Sequence, residues 1–134
     1  MHIGAMLDLG VDPDWLQKEL NKLPMADEFA LEICRDAKHG ISGTRATVQL
    51  TGSPGHHRHL SDIEQIIRAA GYPERVTQLA EAIFRHVAVA EAKIHDKPIN
   101  AVHFHEVGAT DSIVDIVAAA LCFDALKVRH VYCK

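Results

Sequence analysis

Residues 110–126, TDSIVDIVAAALCFDAL, constrain the fold more than any other stretch. Ile113, Val114, Ile116, Val117, Leu121, Phe123 and Leu126 spread apolar surface around most of a helix. A helix that is apolar on nearly every side has to be enclosed by other elements. The rest of the chain must therefore supply a shell around it. Short strands are expected on either side, INAVHFHEV before it and VRHVYC after it.

The remaining segments offer suitable covers. In VDPDWLQKELNKLP, Asp12 reads as an N-cap with Pro13 in the first helical position. Trp15, Leu16, Leu20 and Leu23 form its apolar side, and Pro24 ends it. Phe29, Leu31 and Ile33 alternate with Ala30, Glu32 and Cys34, the period of a half-buried strand. Ala46, Val48 and Leu50 repeat that period, and Gly40 and Gly43 between the two runs predict a hairpin with a longish loop. LSDIEQIIRAAG predicts a helix opened by a Ser61–Glu64 capping box. A longer amphipathic helix is expected from Pro73 to about His95, carrying Val76, Leu79, Ala80, Ile83, Phe84, Val87 and Ile94. The fold class is therefore α+β (mixed α/β), with an early β-hairpin, several amphipathic helices and a buried C-terminal helix. Residues 1–134 form a single domain. Ile3, Met6 and Leu7 share a helical face with no N-cap before them, so the chain is expected to be a fragment of a longer protein.

Composition narrows the function. The net charge of −4 leaves no excess of Lys and Arg to neutralise phosphates, which disfavours non-specific nucleic-acid binding. Cys34, Cys122 and Cys133 lack metal-type spacing and point to reduced thiols in a cytoplasmic protein, with packing the favoured role of Cys34 and Cys122. Neither a membrane span nor a signal peptide is expected, since no apolar run of roughly 18 residues and no charged-then-apolar leader occurs. Ten histidines are the unusual count, and histidine is the commonest metal ligand.

Two clusters hold most of the candidate chemistry. On a strand, His103 and His105 share a face roughly 7 Å apart, while Phe104 points into a core. Glu106 follows, and Asp111 and Asp115 lie four apart on a helix, where carboxylates share a face. Imidazole with carboxylate suits Zn²⁺, Ni²⁺, Mn²⁺ or Fe²⁺. Ser112 and Asp115 equally fit a capping pattern, which explains Asp115 at least as well as chemistry does. The second cluster is His56, His57, Arg58 and His59 in a glycine-flanked loop before a helix. Its histidines are candidate metal ligands, and Arg58 is a candidate for a phosphate or carboxylate. A solvated polar loop is an equally good account. His95, near a helix C-terminus, reads as structural.

GAMLDLGVD, GISGTR, HRHLSDIEQII and IFRHVAVAEAKIHDKPINAVHFHEVGATDSIVDIV, in that order, resemble the N-terminal part of the nickel-insertion proteins of lactate racemase maturation, the LarC-type chelatases. The resemblance implies insertion of Ni²⁺, as substrate metal, into a pyridinium-3,5-bisthiocarboxylic acid mononucleotide. The product is the nickel-pincer nucleotide cofactor of lactate racemase, and the reaction uses CTP with Mn²⁺ or Mg²⁺. It implies as partners the pincer-precursor nucleotide and the lactate racemase maturation proteins, and it is compatible with a homo-oligomer. Nothing here corresponds to the family's C-terminal domain, to which the CTP and Mn²⁺ or Mg²⁺ requirement is assigned. Carried over by motif, the metal positions are His56, His57, His59, His103 and His105. Glu106, Asp111 and Asp115 are the catalytic candidates, and Arg58 is the cofactor-binding one. Nickel binding should weaken as histidines protonate below about pH 6. Two other functions fit the residues: a metal-dependent phosphohydrolase using His103, His105, Asp111 and Asp115, or a non-catalytic module for nickel storage or oligomerisation.

Overall fold

The computed structural model describes residues 2–51, 58–104 and 109–132, with His103 described by its backbone only. Among the described residues, five helices and four strands follow one another. These are α1 (His2–Asp8), α2 (Pro13–Leu20), β1 (Phe29–Lys38), β2 (Ile41–Leu50), β3 (Arg58–His59), α3 (Leu60–Ala69), α4 (Glu74–Ile94), β4 (His103–Phe104) and α5 (Thr110–Ala125). Single turns of 3-10 helix precede β1 (Ala26–Glu28) and β4 (Ile99–Ala101). The α+β class is as the patterning indicates.

α5 is the centre of the molecule. Ile113, Val114, Val117, Ala118, Ala120, Leu121 and Cys122 are at most 1% exposed, and the helix packs against α4, α2, α1 and β2. Alanines on both α4 (Ala80, Ala88) and α5 (Ala118, Ala120) are fully buried. Small side chains let two backbones approach closely, and the branched residues between them fill the seam at the density of a protein interior. Burial raises the Cys122 thiol to about 11. Asp12 caps α2 as expected, accepting the Asp14 N–H at 2.9 Å and the Trp15 N–H at 3.3 Å, with Pro13 at the first position.

β1 and β2 pair antiparallel over ten residues each, with Phe29 opposite Leu50, Leu31 opposite Val48 and Ile33 opposite Ala46. The apolar period therefore holds on both strands. The connection is shorter than expected: the strands run on to a two-residue turn, His39–Gly40, with φ of 53° and 81°. Two left-handed residues match the twist of a tight hairpin, so the ladder needs no longer loop. Gly43 is inside β2, not in the turn. Cys34 is exposed on the polar face, not packed, because it alternates with buried Leu31 and half-buried Ile33.

Three local expectations change. The Ser61–Glu64 box is not used: His59, held extended by its pairing in β3, is the N-cap of α3, and the Asp62 carboxylate accepts its N–H at 2.8 Å. α5 likewise starts at Thr110, two residues before Ser112, so Asp115 is in the second turn and caps nothing. Residues 128–132 form no strand. Among the described residues they pair with neither two-stranded sheet, and Val131 and Tyr132 are 69% and 91% exposed. A strand without a partner leaves its backbone to water. Among the described residues, no helix is long and apolar enough to cross a membrane.

Candidate functional site

The two histidine-bearing regions, about 45 residues apart in sequence, meet in space. β3 pairs antiparallel with β4, setting Arg58 opposite Phe104 and residue 59 opposite residue 103. Phe104 anchors this ladder, being 2% exposed in the core. The His59 ring is half-buried, and its Nδ1 lies 3.3 Å from the Val102 carbonyl oxygen.

Beside this ladder lies an ion pair whose cation is buried and whose carboxylate is about a third exposed. The Arg58 guanidinium, 8% exposed, donates from Nη2 to both Glu28 carboxylate oxygens at 2.9 and 2.8 Å. Thr110, the first residue of α5, donates its hydroxyl to Glu28 Oε2 at 2.6 Å and accepts from Arg58 Nη1 at 3.3 Å. Arg58, a candidate for holding a carboxylate or phosphate, thus holds a carboxylate of its own chain. Neither Glu28 nor Thr110 was singled out from sequence. They are 30 and 52 residues from Arg58, and no local pattern marks either.

The other candidates are dispersed. Asp111 is exposed in the first turn of α5, where its carboxylate accepts the Ser112 N–H at 2.8 Å. Asp115 is half-buried, and its backbone carbonyl accepts from His2 Nε2 at 2.9 Å, tying α1 to α5. His95 caps the end of α4 beside Glu91, at 3.2 Å. His56, His57, His105 and Glu106 lie outside the described residues, as does Cys133. Among the described residues no three His, Cys, Asp or Glu side chains gather to hold a metal ion.

Residues that follow His59 and precede Val102 line one shallow cleft of about 460 Å³, formed by Leu60, Ser61, Glu64, Arg85, Ile99 and Asn100. Arg85 pairs across it with Glu64 at 2.7 Å. A slightly larger hollow, about 570 Å³, runs along the outer half of the hairpin and is lined by no histidine.

The whole chain, residues 1–134, matches the family model described as "Nickel insertion protein". A protein of Maridesulfovibrio salexigens named "Putative nickel insertion protein" is 45% identical, covering 99% of this chain and 38% of the relative. The pyridinium-3,5-bisthiocarboxylic acid mononucleotide nickel insertion protein of Clostridium kluyveri is 44% identical over 98% of this chain and 36% of its own length. The chain thus spans about a third of the length of the curated relatives it matches. No solved structure matches it.

Proposed function

The chain belongs to the nickel insertion protein family, and from that membership we propose that it forms the nickel-receiving part of a protein that inserts Ni²⁺ into pyridinium-3,5-bisthiocarboxylic acid mononucleotide. The observation that carries the reading is the β3–β4 ladder, which sets residue 103 opposite His59. Residues directly opposite in an antiparallel pair start their side chains about 5 Å apart on one face, a separation two imidazoles can bridge with one metal ion. A metal-binding histidine characteristically donates its other ring N–H to a carbonyl or carboxylate, and the Val102 carbonyl oxygen lies 3.3 Å from His59 Nδ1. His56, His57 and His105 adjoin these two residues in sequence and complete the proposed ligand set, with Glu106 as the neighbouring carboxylate.

In this reading neutral imidazoles hold Ni²⁺ until the softer thiocarboxylate sulfurs of the precursor take it over. The cleft beside the ladder suits the precursor: Leu60 and Ile99 offer apolar surface to a ring, and Arg85 can turn from Glu64 to a phosphate. The product would serve lactate racemase in the cytoplasm. We assign the CTP and Mn²⁺ or Mg²⁺ requirement to the part of the longer relatives that this chain does not span. Family membership favours nickel insertion over a phosphohydrolase, and no feature of Asp111 or Asp115 argues the reverse.

Calorimetric titration of the chain with Ni²⁺ at pH 7.5 tests the site. His59→Ala and His103→Ala should each weaken binding at least tenfold. Unchanged affinity in both would overturn it.

A further inference from the structure

The two edges of the β1–β2 hairpin differ. On the β2 side α1 and α5 pack against the strand, and Asp8 accepts the outward N–H of Thr44 at 2.9 Å. Because that N–H points away from β1, Arg35 and Thr44 form a non-hydrogen-bonded pair of the ladder. Every second residue of β1 therefore turns its backbone groups to the opposite edge: Ile33, Arg35 and Ala37 over the outer half of the strand. Among the described residues, the close neighbours of β1 are β2 and the 3-10 turn before it. No bulge or proline interrupts its ten residues. The charges along the strand are also unevenly matched. Arg35 pairs with Asp8, and Asp36 with Arg45. Glu32 and Lys38 are exposed on one face of the strand, six residues apart, and among the described residues neither has an ion-pair partner. Glu32 accepts only the neutral Gln49 amide, at 3.2 Å.

We propose that the outer edge of β1 pairs antiparallel with the same edge of a second copy of this chain, about a two-fold axis at Arg35, so that Glu32 of each copy faces Lys38 of the other. A long, regular edge with unpaired backbone groups is a template for another strand, and a two-fold contact needs only a self-complementary patch. Two residues three places either side of the axis come directly opposite in such a pair. Glu32 and Lys38 do so at a non-hydrogen-bonded position, where facing side chains are closest. The backbone bonds of Ile33, Arg35 and Ala37 supply the attraction. The Ala37 N–H exchanges its present acceptor, the Asp36 side chain at 2.8 Å, for the Ile33 carbonyl of the second copy. Arg35 meets its counterpart on the other face, each guanidinium held back by its own Asp8 and Thr44. Exposed ion pairs add little affinity, so the role of Glu32 and Lys38 is to select the register.

The test is sedimentation equilibrium of the chain in reducing buffer, across a roughly hundredfold range of concentration. The parent should show a reversible monomer–dimer equilibrium. Lys38→Glu sets two acids opposite each other twice over, and Glu32→Lys does the same with two bases. Each should weaken self-association about tenfold. Both side chains are exposed, so the fold is retained, which an unchanged urea midpoint verifies. An equimolar mixture of the two variants should associate as the parent does, because every facing pair then has opposite signs. A parent that stays monomeric throughout the range overturns the proposal, and the edge is then open or takes a different strand. Parental association in both single variants overturns it as well and locates the contact elsewhere. A mixture no tighter than either variant alone refutes the register and with it the two-fold pairing at Arg35.

Discussion

Asp8, the last residue of α1, holds Thr44 of β2 twice, accepting its backbone N–H at 2.9 Å and its hydroxyl at 2.7 Å. Arg35 on β1 completes the contact, donating to Asp8 at 2.9 Å and to the Thr44 oxygen at 3.1 Å. The GAMLDLG and GISGTR segments, separate in sequence, are joined by this carboxylate.

The contact makes stability depend on pH. Chiefly the Thr44 N–H, then its hydroxyl, hold the Asp8 carboxyl below the ordinary carboxylate range, against some desolvation and with a smaller contribution from Arg35. The folded value is depressed, so the unfolded chain binds the proton more readily. The contribution is then complete above the unfolded value, about 4, and disappears as pH falls through the folded one. Asp8→Asn should lower the urea midpoint at pH 7, and the gap between the two midpoints should narrow as pH falls below about 4. A gap that stays constant from pH 7 to pH 3 would contradict the assignment.

Gly4 sits one turn before Asp8 and against the same strand. A Cβ there would fall well inside van der Waals contact with the Thr44 carbonyl oxygen, a backbone atom that cannot move aside without shifting β2. Gly4→Ala is therefore expected to cost about 1–3 kcal/mol or more. Gly43→Ala, whose Cβ would meet only the Asp8 carboxylate at 3.4 Å, should stay within about 1 kcal/mol of the parent. Denaturant titration of both distinguishes a collision from a general intolerance of alanine.

Central burial of α5 predicts a steep contrast between two isoleucines. Ile113 is fully buried and Ile41 is 78% exposed. Ile113→Ala should destabilise by about 2–5 kcal/mol, and Ile41→Ala by less than about 0.5 kcal/mol. Similar losses at both positions would mean that the hairpin tip is covered in solution.

Thiol chemistry should divide the cysteines. In a Cys133→Ser background, Cys34 should react with a disulfide reagent at pH 8 within the mixing time expected for an exposed thiol. Cys122, buried and raised to about 11, should react only as urea unfolds the chain. Protection of Cys34 in native buffer would show that the outer face of β1 is occluded.

What could be read from sequence is what short-range physics writes there. Asp12 and Pro13 start α2 because a cap acts on amides two and three residues away. The Phe29–Leu31–Ile33 and Ala46–Val48–Leu50 periods show which side of the hairpin faces the core. The apolar girth of residues 110–126 requires that α5 be central. The resemblance that pointed to nickel also rests on residue order alone. The helices at Leu60 and Thr110 begin where the patterning indicates, but their caps differ because neighbouring residues offer rivals, and the choice at α3 follows from pairing of His59 with a strand about 45 residues away. Only the tertiary structure brought the two histidine regions into one ladder. It also turned Arg58 onto Glu28 and Thr110, and made Gly4 the close contact between α1 and β2. Each of these contacts crosses tens of residues. A buried charge takes whichever partner the fold carries to it, and nothing near Arg58 in the chain names that partner.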